Sequence, residues 1–199
     1  MSDYRVVGAV DETFRMLLWS QMQFDSEISS ILTTEQRITF EPPFKIIRDT
    51  DPVQDSLSIF LYRIVEDGEL RNRPPRGNNG SLRYPPLPLD LFYLITPLTN
   101  TTENDHKVLS KALQILYDNA IVRGSALQGV LQDTAEELRV ILNPMSMEDM
   151  SKLWSAFMRP LRLAVSYEVK VVYIDSERET SVEEVRRKRF EFSQMGTKL

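Results

Sequence analysis

The chain has 199 residues, 42% hydrophobic and 27% charged, enough for one well-buried core with extensions. Its 24 basic and 29 acidic residues leave a net charge of -5, a field that repels nucleic acid and anionic membranes. With no cysteine, disulfides, thiolate metal sites and cysteine nucleophiles are excluded, and a reducing cytoplasm suffices for folding.

The first residues, MSDYRVVGAVDETF, lack the basic and apolar regions of a signal peptide, and no stretch approaches the ~20 apolar residues of a membrane span. A soluble protein made in the cytoplasm is expected. Val6 to Met22 places Val6, Val7, Val10, Phe14, Leu17 and Leu18 three and four apart with Asp11, Glu12 and Arg15 between them, which predicts an amphipathic helix. Ser29 to Thr34 reads as a connection. Arg37 to Phe40 reads as a short strand, ended by a rigid extended turn at Glu41-Pro42-Pro43.

Ser56 to Val65, SLSIFLYRIV, alternates Leu57, Ile59 and Leu61 against Ser58, Phe60 and Tyr62, a strongly apolar strand. Glu66 to Leu82 holds arginine, proline, glycine and asparagine without a hydrophobic period, so a long mobile loop is expected. Arg71, Arg73 and Arg76, with Arg83 just beyond, make it locally basic, a candidate contact to an acidic protein surface. Ser81 to Thr99 is the stretch around which the rest is organised. Prolines 85, 86 and 88 predict an extended lead-in. From Leu89 a strand puts Leu89, Leu91, Tyr93 and Ile95 on one face and Asp90, Phe92, Leu94 and Thr96 on the other, ending at Pro97. With both faces mostly apolar, it should lie centrally beside the Ser56 strand.

Polar caps at 99–105, with Thr102 and Asp105 at capping-box spacing, open a helix that buries Val108, Leu109, Ala112, Leu113, Ile115 and Leu116 and ends near Asp118-Asn119. A link with Gly124 and Gly129 leads to a strand at Leu138 to Leu142. Ser146, with Asp149 three residues on, caps a helix carrying Met150, Leu153 and Trp154 and stopped by Pro160. Leu163 to Ile174 predicts the longest strand, with Leu163, Val165, Tyr167, Val169, Val171 and Tyr173 on one face and Ser166, Glu168 and Lys170 on the other. The fold class is therefore α/β of the α+β type: a single mixed, largely antiparallel sheet with packed helices over residues 1–175, and a mixed-charge C-terminal arm over 176–199. In that arm, Arg186, Arg187, Lys188 and Arg189 are basic, and Arg189 to Ser193, RFEFS, sets Phe190 and Phe192 in strand-like alternation, suited to pairing with a partner's sheet.

No catalytic motif is present. The only histidine, His106, falls in the first turn of a predicted helix, and neither GxSxG, GxGxxG nor GxxxxGK[ST] occurs. A chain without positioned acid, base or electrophile reads as a binding or structural protein that needs no cofactor or metal and is not an enzyme. Two rivals make definite demands. An oligomeric enzyme of unknown type requires a deep pocket gathering Asp90, Arg63 and Glu168. A nucleic-acid or membrane module requires the loop arginines and Arg186 to Arg189 to form one basic patch.

Seven stretches taken together carry a resemblance: ITFEPP at 38–43, LSIFLYRI at 57–64, LRN at 70–72, PPLPLDLFYLITP at 85–97, KALQILYDNAIVRG at 111–124, MSMEDMSKLW at 145–154 and LAVSYEVKVVYIDS at 163–176. In order and content the chain from Val6 to Ser176 resembles the cap, or tube-terminator, family of phage-tail-like contractile injection systems, relatives of contractile-phage tail terminators. The resemblance implies a non-enzymatic assembly part, a homo-hexameric ring at the distal end of the inner tube and outer sheath that stops both from growing. Its partners would be further copies of itself, the tube protein and the sheath protein, with no nucleic acid and no membrane. Assembly would be cytoplasmic, within a particle that can be released.

Overall fold

Strand β5 (Leu87–Leu98) is the spine of the molecule, and the other strands are best placed from it. The computed structural model describes residues 3–47, 54–70, 74, 76–78 and 81–181. In chain order the elements are α1 (Val6–Met22), α2 (Ser26–Ile31), β1 (Ile38–Thr39), α3 (Pro43–Ile46), β2 (Ser56–Glu66), β3 (Arg76–Asn78), β4 (Ser81–Arg83) and β5. There follow α4 (Thr102–Asp118), β6 (Ile121–Arg123), β7 (Glu137–Leu142), α5 (Met147–Ala156), β8 (Val165–Ile174) and β9 (Glu179–Ser181). One six-stranded sheet has the order β1-β2-β5-β8-β7-β6, antiparallel except for the β1-β2 pair, and a second sheet has the order β3-β4-β9. The mixed, largely antiparallel α/β fold expected from the sequence is the one observed, with a small second sheet added.

The alternation of β5 sorts its side chains as predicted. Leu89, Leu91, Tyr93 and Ile95 join Leu57, Ile59, Val140 and Val169 in one core with α1 and α4; this is the helix face of the sheet. Tyr93 is fully buried, stands edge-on to Phe14 of α1 at 5.3 Å, and donates its hydroxyl to Asp11 Oδ1 at 2.8 Å. Burial pushes the Asp11 carboxyl up to about 6, against the opposing pull of that hydrogen bond. Thr13, in mid-helix, donates to Ala9 O at 2.7 Å and accepts from Gln128 N at 3.0 Å, tying α1 to the turn before β7. There Gly129 adopts a φ of 59°, and a Cβ on it would meet Ala9 Cβ at 3.2 Å, so a side chain is disfavoured by both backbone and space.

Among the described residues, α5 covers one end of the opposite face of the sheet. Trp154 of α5 is buried, Leu94 is buried within the sheet, and Phe157 just after α5 packs on Phe60 at 5.9 Å and on Phe44 at 5.5 Å. The α5 cap is as predicted: Ser146 Oγ accepts from Asp149 N at 3.1 Å and donates to Asp149 Oδ2 at 2.7 Å. At its other end Arg159 N reaches Trp154 O and Met158 N reaches Ser155 O, a Schellman closure with Met158 at a φ of 54°. The helix thus ends ahead of Pro160 by its own capping.

Several expectations need correction. Part of the span read as connection at 29–34 belongs to α2, because Asp25 caps it by accepting from Glu27 N and Ile28 N. The turn at Pro42-Pro43 opens the single turn α3, where proline at the first helical position loses no hydrogen bond. Strand β5 runs through Pro88 and Pro97. Pro97 is tolerated because only β2 pairs with it, through Leu57, whereas the β8 ladder stops at the Ile95 and Val165 pair. The cap of α4 is Thr101, accepting from Asn104 N at 3.2 Å, and Asp105 instead turns back to accept from Thr99 N and Oγ1 at 2.9 and 2.8 Å. On β8 a bulge opposite Asp90 shifts the register between the Val169 and Val172 pairs, so Val172 is a core residue although unbroken alternation from Val169 puts it on the other face. The stretch 66–82 is not all loop: β3 and β4 pair antiparallel, Arg76 with Arg83 and Asn78 with Ser81.

Candidate docking surface

Beside α5, the same face of the sheet presents side chains from β2, β5 and β8. A second bulge, at Tyr62 in β2, places Tyr62 and Arg63 on this same side. The Tyr62 hydroxyl lies 2.9 Å from Ser166 Oγ and its ring meets Phe92 at 6.3 Å, while the Arg63 guanidinium lies over the Phe92 ring at 5.3 Å. Asn143 Nδ2 donates to the same Ser166 Oγ at 3.1 Å, which fixes the end of β7 against β8. Tyr62, Arg63 and Asn143 line a groove of about 540 Å³ with Met145, Lys152 and Leu153.

Next to it, Lys170 Nζ stands 3.5 Å from Glu168 and 3.9 Å from Asp90. Glu168, then Asp90, holds the Lys170 ammonium above its ordinary range, and burial raises the Asp90 carboxyl. Asp90 Oδ1 is buried and has no hydrogen-bond partner among the described residues. Of the three residues from which an enzyme would need a pocket, Arg63 lines this groove, whereas Asp90 and Glu168 meet through Lys170 and are not among its lining residues. Among the described residues no group of three or more His, Asp or Glu side chains could hold a metal ion, and no helix is long and apolar enough to cross a membrane.

The candidate contacts named from the sequence are placed only in part. Arg76 lies in β3, its backbone paired with Arg83 of β4, so two of the four loop arginines share one register position of a hairpin. Arg71, Arg73, Arg186, Arg187, Lys188, Arg189, Phe190 and Phe192 lie outside the described residues. Between the two groups, β9 pairs Ser181 with Ser81 and Glu179 with Arg83, and the Arg178 guanidinium covers the Tyr84 ring at 4.5 Å. The first residues of the expected arm are therefore laid against the loop hairpin. Sequence reasoning missed Tyr62 and Arg63 as same-face neighbours, since a bulge leaves no mark in a period of two, and missed β6 because three residues carry too little pattern.

Comparison with known proteins follows the same outline. Residues 9–188 match the family described as the Pvc16 N-terminal domain. Among solved structures, the sheath/tube terminator of the PVC extracellular contractile injection system, in its extended state, aligns with 98% of this chain at 21% identity and a TM-score of 0.66. The tube-terminating cap of the anti-feeding prophage aligns with 92% at 19% identity and a TM-score of 0.60. This chain spans 66% and 60% of those two longer chains. No curated protein sequence gives a significant match.

Proposed function

We infer, from the premise that this chain belongs to the Pvc16 N-terminal domain family, that it is a structural cap closing the distal end of a phage-tail-like contractile injection particle. It acts as a homo-hexameric ring seated on the inner tube and the sheath, ending the growth of both, and it does so without catalysis. The observation that carries this reading is the agreement of 98% of the chain with the fold of a sheath/tube terminator. The sheet face beside α5 supports it, since the exposed Arg63 with the half-buried Phe92, Glu168 and Lys170 suits contact with protein. In the same reading Arg71, Arg73 and Arg76, with Arg186 to Arg189, Phe190 and Phe192, dock onto neighbouring subunits. Assembly takes place in the cytoplasm, before any release of the particle.

The test is electron microscopy of particles made with and without the protein. Overlong, unstable or missing sheathed particles are expected on deletion, and particles of unchanged length and stability would overturn the assignment. Mass photometry of the protein alone and with tubes checks the ring, which a strict monomer under both conditions would rule out.

A further inference from the structure

The six-stranded sheet ends in two edges that differ in kind. At one, β1 has only two residues, and Arg15 Nε already donates to Ile38 O at 3.3 Å. At the other, β6 has no outer neighbour among the described residues. Val140 N donates to Ala120 O at 2.9 Å, so alternation makes Val122 and Leu138 the next hydrogen-bonded pair and turns the N–H and C=O of Ile121 and Arg123 outward. Among the described residues no hydrogen bond reaches those outward groups. The Ile121 side chain is 55% exposed, so this edge offers both backbone pairing and apolar surface.

The chain itself carries a segment of matching chemistry. Residues 189–193, RFEFS, have the alternation of a strand, and Arg186 to Arg189 supply positive charge; Asp133 and Glu136 precede β7 beside β6, where Glu137 already pairs with the exposed Arg123 at 3.3 Å. Direction decides between the chain's own edge and a neighbour's. The pairs Leu87 with Ile174, Arg83 with Glu179 and Ser81 with Ser181 continue one antiparallel ladder, so β9 carries the chain onward from β8, away from the sheet. A return to its own β6 needs a reversal within 182–188, VEEVRRK, which has no glycine, proline, asparagine or aspartate to make one. Going forward, the residues after Ser181 reach up to ~60 Å, more than the ~40 Å breadth expected for a compact chain of this length.

We propose that the outer edge of β6 in one copy of this chain receives residues 189–193 of a second copy as an added strand, with Phe190 and Phe192 covering Ile121. This rests on the ring reading above and names the joint between its members. Because the protein has no cysteine, the joint can be tested with two single-cysteine chains. One ends at Ser181 and carries Ile121→Cys or, as a second acceptor position, Ser125→Cys. The other is full length and carries Ser193→Cys. A short bis-maleimide linker should give a covalent heterodimer of the two, lost when the full-length partner also carries Phe190→Ala and Phe192→Ala. No heterodimer from either acceptor position, with both chains folded by circular dichroism, overturns the proposal. So does a crosslink formed only within one chain bearing both cysteines. A heterodimer alongside particles of normal length without the protein would remove the cap reading and leave the joint standing; capped particles without the heterodimer would do the reverse.

Discussion

Asp11 and Tyr93 show how one buried polar contact ties a helix to the central strand at a cost set by pH. The folded state holds the Asp11 carboxyl at about 6, above its unfolded value of 3.8, because burial disfavours the charged form. Below that unfolded value both states are protonated and the site is neutral to folding. As pH rises to about 6 the unfolded chain ionises first, so stability falls, and above 6 the loss is constant. Asp11→Asn keeps an oxygen to accept from Tyr93 but cannot ionise. Discounted for partial exposure, it should raise stability at pH 7 by about 1–2 kcal/mol and flatten the profile between pH 4 and 6. Urea midpoints at pH 4.5 and 7 check this, and equal destabilisation at both would refute it. Met158 offers a simpler case. It closes α5 in the left-handed region with its side chain 88% exposed, so Met158→Gly should relieve backbone strain and gain up to ~1 kcal/mol in the same assay.

Between elements, Asp105 works as a clasp. Its carboxylate accepts from Thr99 N and Oγ1 at the end of β5, and Arg162, on the approach to β8, reaches it at 3.4 Å. Removing it leaves buried donors without acceptors, so Asp105→Ala should cost about 1–3 kcal/mol, read by thermal or urea unfolding, while Thr101→Ala at the exposed cap should cost about 1 kcal/mol. Sequence spacing alone ranked these residues differently, since it can show that a cap is due within 99–105 but not which carboxylate turns inward. The same limit explains the rest. The stretches α1, β2, β5 and α4 were legible because each has a long stripe of apolar residues with a single period, Val6 to Leu18 or Leu57 to Leu61. What stayed hidden is set by register or by pairing: the bulges at Tyr62 and opposite Asp90, and the pairing of 76–78 with 81–83 in a stretch whose composition reads as loop. Of the candidate site, the basic loop was legible as charge, and the β6 edge, unpaired on its outer side among the described residues, was not.

For the whole molecule, the ladder of β5 with β8 that runs on into β4 with β9 makes one long ribbon, rooted in the core and carrying the small sheet beyond it. The two parts differ in what supports them. The six-stranded sheet is held by the α1 and α4 core, whereas the small sheet has three strands of three residues each, near the lower limit of what backbone pairing sustains. Ending the chain at Asp175 removes β9 and leaves β3 and β4 as an isolated hairpin; ending it at Ser181 keeps all three strands. We therefore expect both truncated proteins to keep the cooperative unfolding of the full chain, because β8 is complete at Ile174. They should differ in amide exchange at 81–83, slow in the chain ending at Ser181 and fast in the one ending at Asp175. If capping depends on the residues after Ser181, both will bind tube and sheath poorly despite that difference. If the chain ending at Asp175 loses its cooperative transition, the ribbon belongs to the core; if either caps particles as well as the full chain, residues 182–199 are not the docking arm.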